Sequence, residues 1–300
     1  MPPVLIDTDP GVDDALALLQ AWGTPSLSVD VITTVAGNVP VTAGTRNVFR
    51  LLALRDPRPV PVVGQGAATP LARPLVTATR HHGEDGLGDL DDWPPAHPTL
   101  APAGGVALMV AAARRHGSDL TLIALGPLTN VAHAVEADVA AMRGVGRVVV
   151  MGGAVDVAGN VTADAEFNMH VDPEAARRVV EAGLRLDLVP LDATRQAVLE
   201  AGALDAALTA TPASYAERVR RFTAYSFGTG ATRRMTLHDP LAVGLAADPS
   251  LGTWEAIRVA IGADGETRRV AGSPNVRVAR RVDSVRFMQT FLAALCRVSS

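Results

Sequence analysis

Asp7 to Leu18, DTDPGVDDALAL, is the stretch whose reading decides the fold. The apolar run Val4-Leu5-Ile6 before it predicts a buried strand. Pro10 and Gly11 break that strand, and Ala15 to Leu19 continues as a helix. Asp7, Asp9, Asp13 and Asp14 therefore crowd one strand-to-helix turn. An acid or two suits a helix start, where the dipole favours negative charge and Pro fits the first turn. Four in a partly buried cleft repel one another by several kcal/mol unless a cation or shared protons intervene. Carboxylates with neither Cys nor His beside them suit a hard divalent ion, Ca²⁺ or Mg²⁺.

Outward from that turn, strand and helix patterns alternate. Strands are expected at Leu27 to Ala36, Val60 to Val63, Leu120 to Leu125, Arg147 to Met151 and Leu186 to Leu191. Helices are expected at Val41 to Arg55, Gly104 to Arg115, through Glu136, and at Pro173 to Ala182. Gly64 to Pro98 reads as a long loop with HHGEDGLGDLDD at its middle, and Asn160 to His170 as irregular. Beyond Asp192 the pattern is mostly helical to Phe227, and GTGATRR from Gly228 interrupts it. A helix starts at His238-Asp239-Pro240, a hairpin is expected over Glu255 to Val270, a strand at Val276 to Ala279, and a helix closes the chain. This predicts one α/β domain over residues 1–300, a mostly parallel sheet with helices on both faces. Ligands of such sheets bind outside the carboxyl ends of the strands, where the polar clusters fall.

Composition narrows the chemistry. All 27 basic residues are Arg, which excludes Schiff-base, pyridoxal-phosphate and P-loop enzymes, each of which needs a Lys. A net charge of −4 with interspersed signs predicts no nucleic-acid partner. No apolar run reaches the ~18 residues of a membrane span, and the first residues lack the basic start of a signal peptide. With Cys296 alone, no internal disulfide can form, so a cytoplasmic location is expected.

Six segments together resemble the inosine–uridine-preferring nucleoside hydrolase family. They are DTDPGVDDALAL, TTVAGN ending at Asn38, HGEDGLG from His82, LGPLTN from Leu125, MGGAVDVAGNVTADAEFN from Met151 to Asn168, and HDPLA from His238. The resemblance implies Ca²⁺-dependent hydrolysis of ribonucleosides to ribose and free base, a place in nucleoside salvage, and a homodimer or homotetramer. It implies Asp9 as the base that deprotonates an ion-held water, with Asp9, Asp14, Asp239 and the Leu125 carbonyl as ligands. It assigns Asp13 and Asn38 to the ribose hydroxyls, and Glu166 and Asn168, helped by Asn160 and Met151, to the 5′ side. His238 matches a histidine that some members use near the leaving base. His82 falls in the long loop as a substrate-gating or solvated residue, and Tyr225 and Phe227 precede the glycine break, where a lid could carry a base-stacking ring. VPLDATRQ departs from the family by placing Arg195 where His is frequent, and aromatics are only 4% of the chain, so no purine-stacking pocket is evident.

Elementary chemistry agrees with the resemblance. An oxocarbenium-like sugar needs negative charge near the ring and a placed water, and a carboxylate beside that water can take its proton. A departing base gains from a proton, for which a His near neutral pKa is suited. Two alternatives are a non-catalytic Ca²⁺ or nucleoside-binding protein and a phosphatase of the haloacid-dehalogenase kind. The second opens with Asp-x-Asp but needs a basic group for phosphate, which Asp13 and Asp14 would oppose.

Overall fold

The computed structural model describes residues 1–227 and 233–298. Residues 228–232, which include most of the GTGATRR break, lie outside the described residues. Strands β1 (Pro3–Thr8), β2 (Ser28–Thr34), β3 (Val62–Gln65), β4 (Thr121–Ala124), β5 (Arg147–Met151) and β6 (Leu186–Val189) follow the expected order. The short β7 (Val198–Glu200) and β8 (Arg234–Thr236) pair with each other, apart from the main sheet. β9 (Gly252–Ile261), β10 (Thr267–Val270) and β11 (Val276–Val282) complete the set.

The main sheet has nine strands in the order β10-β9-β11-β6-β5-β4-β1-β2-β3. All its pairings are parallel except those of β9, which runs antiparallel to both β10 and β11. The period of two along the inner strands divides the core. Val4 and Ile6 of β1, Ile123 of β4 and Val149 of β5 join the core on one face. Leu5, Leu122, Val148 and Val150 join the core on the other. α1 (Val12–Gly23), the helix His238–Ala247 and the helix Ser284–Leu295 cover the first face, and Gly104–His116, Thr129–Ala137 and Pro173–Glu181 the second. Each fully buried aliphatic side chain contributes roughly 1.5–3 kcal/mol, so this double burial holds the strands in register.

Three local readings change. The third strand begins at Val62, not Val60, because Pro59 and Pro61 lack the amide hydrogens a parallel ladder needs. The segment expected to be irregular to His170 ends in a short helix, Phe167–Val171, whose N-cap is Glu166. β7 interrupts the helical pattern after Asp192, because its partner β8 lies 34 to 38 residues away and only that pairing defines it.

From β1 the chain builds outward through β2 to β3, then returns to lay β4 on the opposite side of β1. The strand order therefore reverses between β1 and β4, and their carboxyl ends open a crevice there. Asp7-Thr8-Asp9 leaves β1 at that point, and Leu125-Gly126 leaves β4.

Candidate active site

The turn after β1 aims its acids inward because helix capping fixes the last of them. Gly11 is the N-cap of α1, and its N–H donates to Asp14 Oδ2 at 3.1 Å. Asp14 Oδ1 accepts from Thr8 Oγ1 at 2.5 Å and from the Asp9 N–H at 3.3 Å. The Asn38 amide donates to Asp14 Oδ2 at 3.0 Å, tying the end of β2 to this turn. Asp14 thus caps the helix and faces the site at once. Together Asp13, Asp14 and Asp239 bring one oxygen each within 4.8 Å of one another, and all three are buried. Asp239 joins them from the first turn of the helix His238–Ala247.

Asp9, expected from the sequence among the ligands, is fully buried and is not one of this trio. Its Oδ2 accepts from the Asn38 N–H at 2.7 Å, while Oδ1 has no hydrogen-bond partner among the described residues. Two glycines make room for it. A Cβ on Gly126 would stand 2.5 Å from Asp9 Oδ1, and one on Gly37 would collide with Oδ2. Gly126→Ala is expected to displace the carboxylate, lowering turnover at least ~10-fold and costing about 1–3 kcal/mol of stability by overpacking. Steady-state rates and thermal melts of the variant check this.

Burial sets the electrostatics. Desolvation, then the charge of Asp14, pushes Asp9 well above the ordinary carboxylate range. The same two causes raise Asp13 to about 6, and desolvation followed by Asp13 and Asp14 raises Asp239 strongly. Two like charges 4 Å apart cost about 4 kcal/mol at an effective dielectric of 20, so the fully ionised cluster needs a cation. Oxygen donors only, an unpartnered buried carboxylate oxygen and a backbone carbonyl at the same cavity fit a hard divalent ion. Mg²⁺ and Ca²⁺ are both consistent with that donor chemistry.

Above the cluster opens a cavity of about 740 Å³. Asp13, Asn38, His82, Leu125, Met151, Asn160, Glu166, Asn168, Tyr225, His238 and Asp239 all line it, so the structure brings together nearly every residue singled out from sequence. Asp9 and Asp14, both fully buried, do not line the cavity. Asn168 is the hub of one end. Its amide donates to the Leu125 carbonyl at 2.6 Å and to the Met151 carbonyl at 3.3 Å. Glu166 accepts from the N–H groups of Gly153, Asn168 and Met169, which orients it as a helix cap, while burial raises its pKa. Asn160 accepts from the Phe167 N–H at 2.9 Å, and Arg195 donates to the Gly159 carbonyl at 2.8 Å, which anchors the loop.

The other end carries the histidines. His82 is half-buried rather than fully solvated: its Nδ1 accepts from the Val12 N–H at 3.1 Å, and burial lowers its pKa to about 4. Burial also lowers His238, whose Nδ1 lies 2.8 Å from Thr194 Oγ1. Both imidazoles are therefore neutral near pH 7. Tyr225 is 44% exposed at the rim, whereas Phe227 is buried and does not line the cavity. Sequence reasoning missed Arg80, Phe167, Ser226 and Arg234 as lining residues, and Thr8 and Thr194 as partners of Asp14 and His238. Thr8 and Phe167 stand inside the motifs and carried a signal; the others depend on tertiary approach.

Residues 4–289 match the family model described as inosine-uridine preferring nucleoside hydrolase. The non-specific ribonucleoside hydrolase RihC of Salmonella enteritidis PT4 is 37% identical over 292 residues, 97% of this chain and 92% of its own. RihC of Klebsiella pneumoniae subsp. pneumoniae is 35% identical over 94% of each chain. Among solved structures, the purine-preferring ribonucleoside hydrolase from Gardnerella vaginalis superposes with a TM-score of 0.92 at 27% identity, covering 98% of both chains. A plant nucleoside hydrolase, PpNRh1, gives a TM-score of 0.91 at 31% identity over 99% of both. With the fold, the motifs and the whole length agreeing, the chain belongs to the inosine-uridine preferring nucleoside hydrolase family and is an N-glycosyl hydrolase.

Proposed function

We propose that this protein hydrolyses ribonucleosides to ribose and free nucleobase with the aid of one bound Ca²⁺. The observation that carries the reading is the buried carboxylate group beneath the cavity, with Asp9 Oδ1 unpartnered at its base. Asp9, Asp14, Asp239 and the Leu125 carbonyl would hold the ion. When bound, a divalent cation aligns the vicinal ribose hydroxyls and makes its water easier to deprotonate. Asp9 accepts the proton of the attacking water, the role a positioned carboxylate base can play. Asp13 and the Asn38 carboxamide hold the 2′- and 3′-hydroxyls. Negative charge from the floor favours the positive charge that develops on the sugar ring. Glu166, Asn168, Asn160 and Met151 take the 5′-hydroxyl end. His82, Tyr225 and His238 face the base. The family match leaves no support for the phosphatase alternative, and the presence of every acid the chemistry needs speaks against a purely binding role. The cytoplasmic location and the homodimer or homotetramer rest on the single cysteine and on the resemblance, respectively.

A panel of nucleosides scored by reducing-sugar release tests the reading. Inosine and uridine are expected to release ribose, and 5′-deoxyinosine to react at least ~10-fold more slowly because the 5′ polar groups lose their partner. Glu166→Ala and Asn168→Ala should narrow that gap by slowing the parent substrate more. Equal rates on inosine and 5′-deoxyinosine in the native protein would remove the 5′ role from both residues.

A further inference from the structure

We propose that Arg80 receives the departing nucleobase, its guanidinium pairing with the negative charge that develops there as the N-glycosidic bond breaks. The inference rests on the nucleoside hydrolysis proposed above and assigns its leaving-group step.

Arg80 belongs to the short helix Thr79–His82, which is tied to the sugar site at both ends. At one end the Ala78 N–H donates to the Asn38 carbonyl at 2.9 Å. At the other, the Val12 N–H donates to His82 Nδ1. A third tie, Ser226 Oγ to the His81 carbonyl at 3.0 Å, joins the helix to the Tyr225 side of the cavity. Arg80 is thus two residues from a backbone bond to Asn38, on the wall of the same cavity. Arg80 is an exposed residue that lines the cavity, and it has no carboxylate within ion-pair distance among the described residues. The other lining guanidinium, Arg234, is already paired with Glu200 Oε1 at 2.5 Å.

The neighbouring groups leave this task open. His82 spends its Nδ1 lone pair on a backbone N–H, so a second ring proton there would break that bond. The side chains of the floor are carboxylates, which offer no hydrogen-bond donor to an anionic base. An arginine carries its charge at all working pH values and offers planar donors to the carbonyl oxygens and ring nitrogen of an oxo-base. A fixed charge placed where negative charge develops favours the departing anion, by less at an exposed guanidinium than the ~10²–10³ in rate of a water-excluded donor. In the step, the C1′–N bond breaks with its electron pair moving onto the base nitrogen. The water oxygen bonds to C1′, and the water proton passes to Asp9. The base leaves as an anion beside Arg80 and is protonated after release, while Asp9 gives up its proton to solvent.

A leaving-group series tests this. Turnover of the native protein, Arg80→Ala, Arg80→Lys and His238→Ala would be measured on uridine, 5-fluorouridine and 4-nitrophenyl riboside. The expected loss for Arg80→Ala is roughly 10-fold on uridine, smaller on 5-fluorouridine and smallest on 4-nitrophenyl riboside, with Arg80→Lys recovering part of it. Equal losses on all three would show that Arg80 only positions the Asn38 turn and would overturn the proposal. So would no loss on uridine, or the graded pattern appearing in His238→Ala instead, which would make the histidine the proton donor. A native protein that releases no sugar from uridine, 5-fluorouridine or inosine would overturn both this step and the hydrolysis on which it rests.

Discussion

Asp9→Asn is expected to cut turnover at least ~10²-fold while changing the Michaelis constant little. The substitution keeps the size of the side chain, so the cage formed by Gly37 and Gly126 still closes around it. Asn retains an oxygen that can face a cation or accept the Asn38 N–H, but it cannot take a proton from water. The loss therefore falls on the chemical step. A variant whose main defect is a raised Michaelis constant would recast Asp9 as a ligand alone. Comparing it with Asp13→Asn separates the roles further, since Asp13 lines the cavity and would contact the sugar directly.

The second large effect is on stability without metal. Asp13 is raised to about 6 from an ordinary 3.8, and burial and mutual repulsion raise Asp9 and Asp239 as well. Because these folded-state values exceed the unfolded ones, the folded protein binds more protons than the unfolded chain between about pH 4 and the raised pKa values. These carboxylates lower stability as pH rises through that window, while the depressed His82 and His238 raise it up to their unfolded value near 6.5, so the net fall belongs to the range above about pH 6.5. Chelator-treated protein should melt a few °C lower at pH 8 than at pH 6.5, where the histidines no longer contribute. Calcium should abolish that fall, because the ion favours the ionised carboxylates and its affinity rises as they deprotonate. Melts at the two pH values, with and without calcium, give the sign. A chelated protein that is more stable at pH 8 would mean that the cluster is neutralised by something other than a cation or a proton.

The parts of the molecule legible in sequence were those set by local pattern. α2 (Val41–Arg55) begins and ends where its apolar spacing predicts, and β5 matches Arg147 to Met151 residue for residue. The turn after β1 was legible because Pro10, Gly11 and the acids act within eight residues. What lay hidden depends on distant partners. Nothing local reveals that Gly37 and Gly126 close around Asp9, or that Asn130 ties Asp7 to the Thr34 carbonyl at the end of β2. His82 reads as a loop residue until the Val12 N–H is found against its ring. Glu166 reads as loop polarity until its carboxylate is seen capping the helix that carries Asn168. Arg80 looked like one more arginine among 27 until the cavity and the absence of a paired carboxylate among the described residues set it apart.

Ribose release from inosine by purified protein, assayed in calcium, after chelation and after calcium is restored, tests the central claim most directly. The account predicts turnover in calcium, loss of at least ~10² on chelation, and recovery when calcium returns. Full turnover in excess chelator, or no ribose from inosine in calcium, would contradict it.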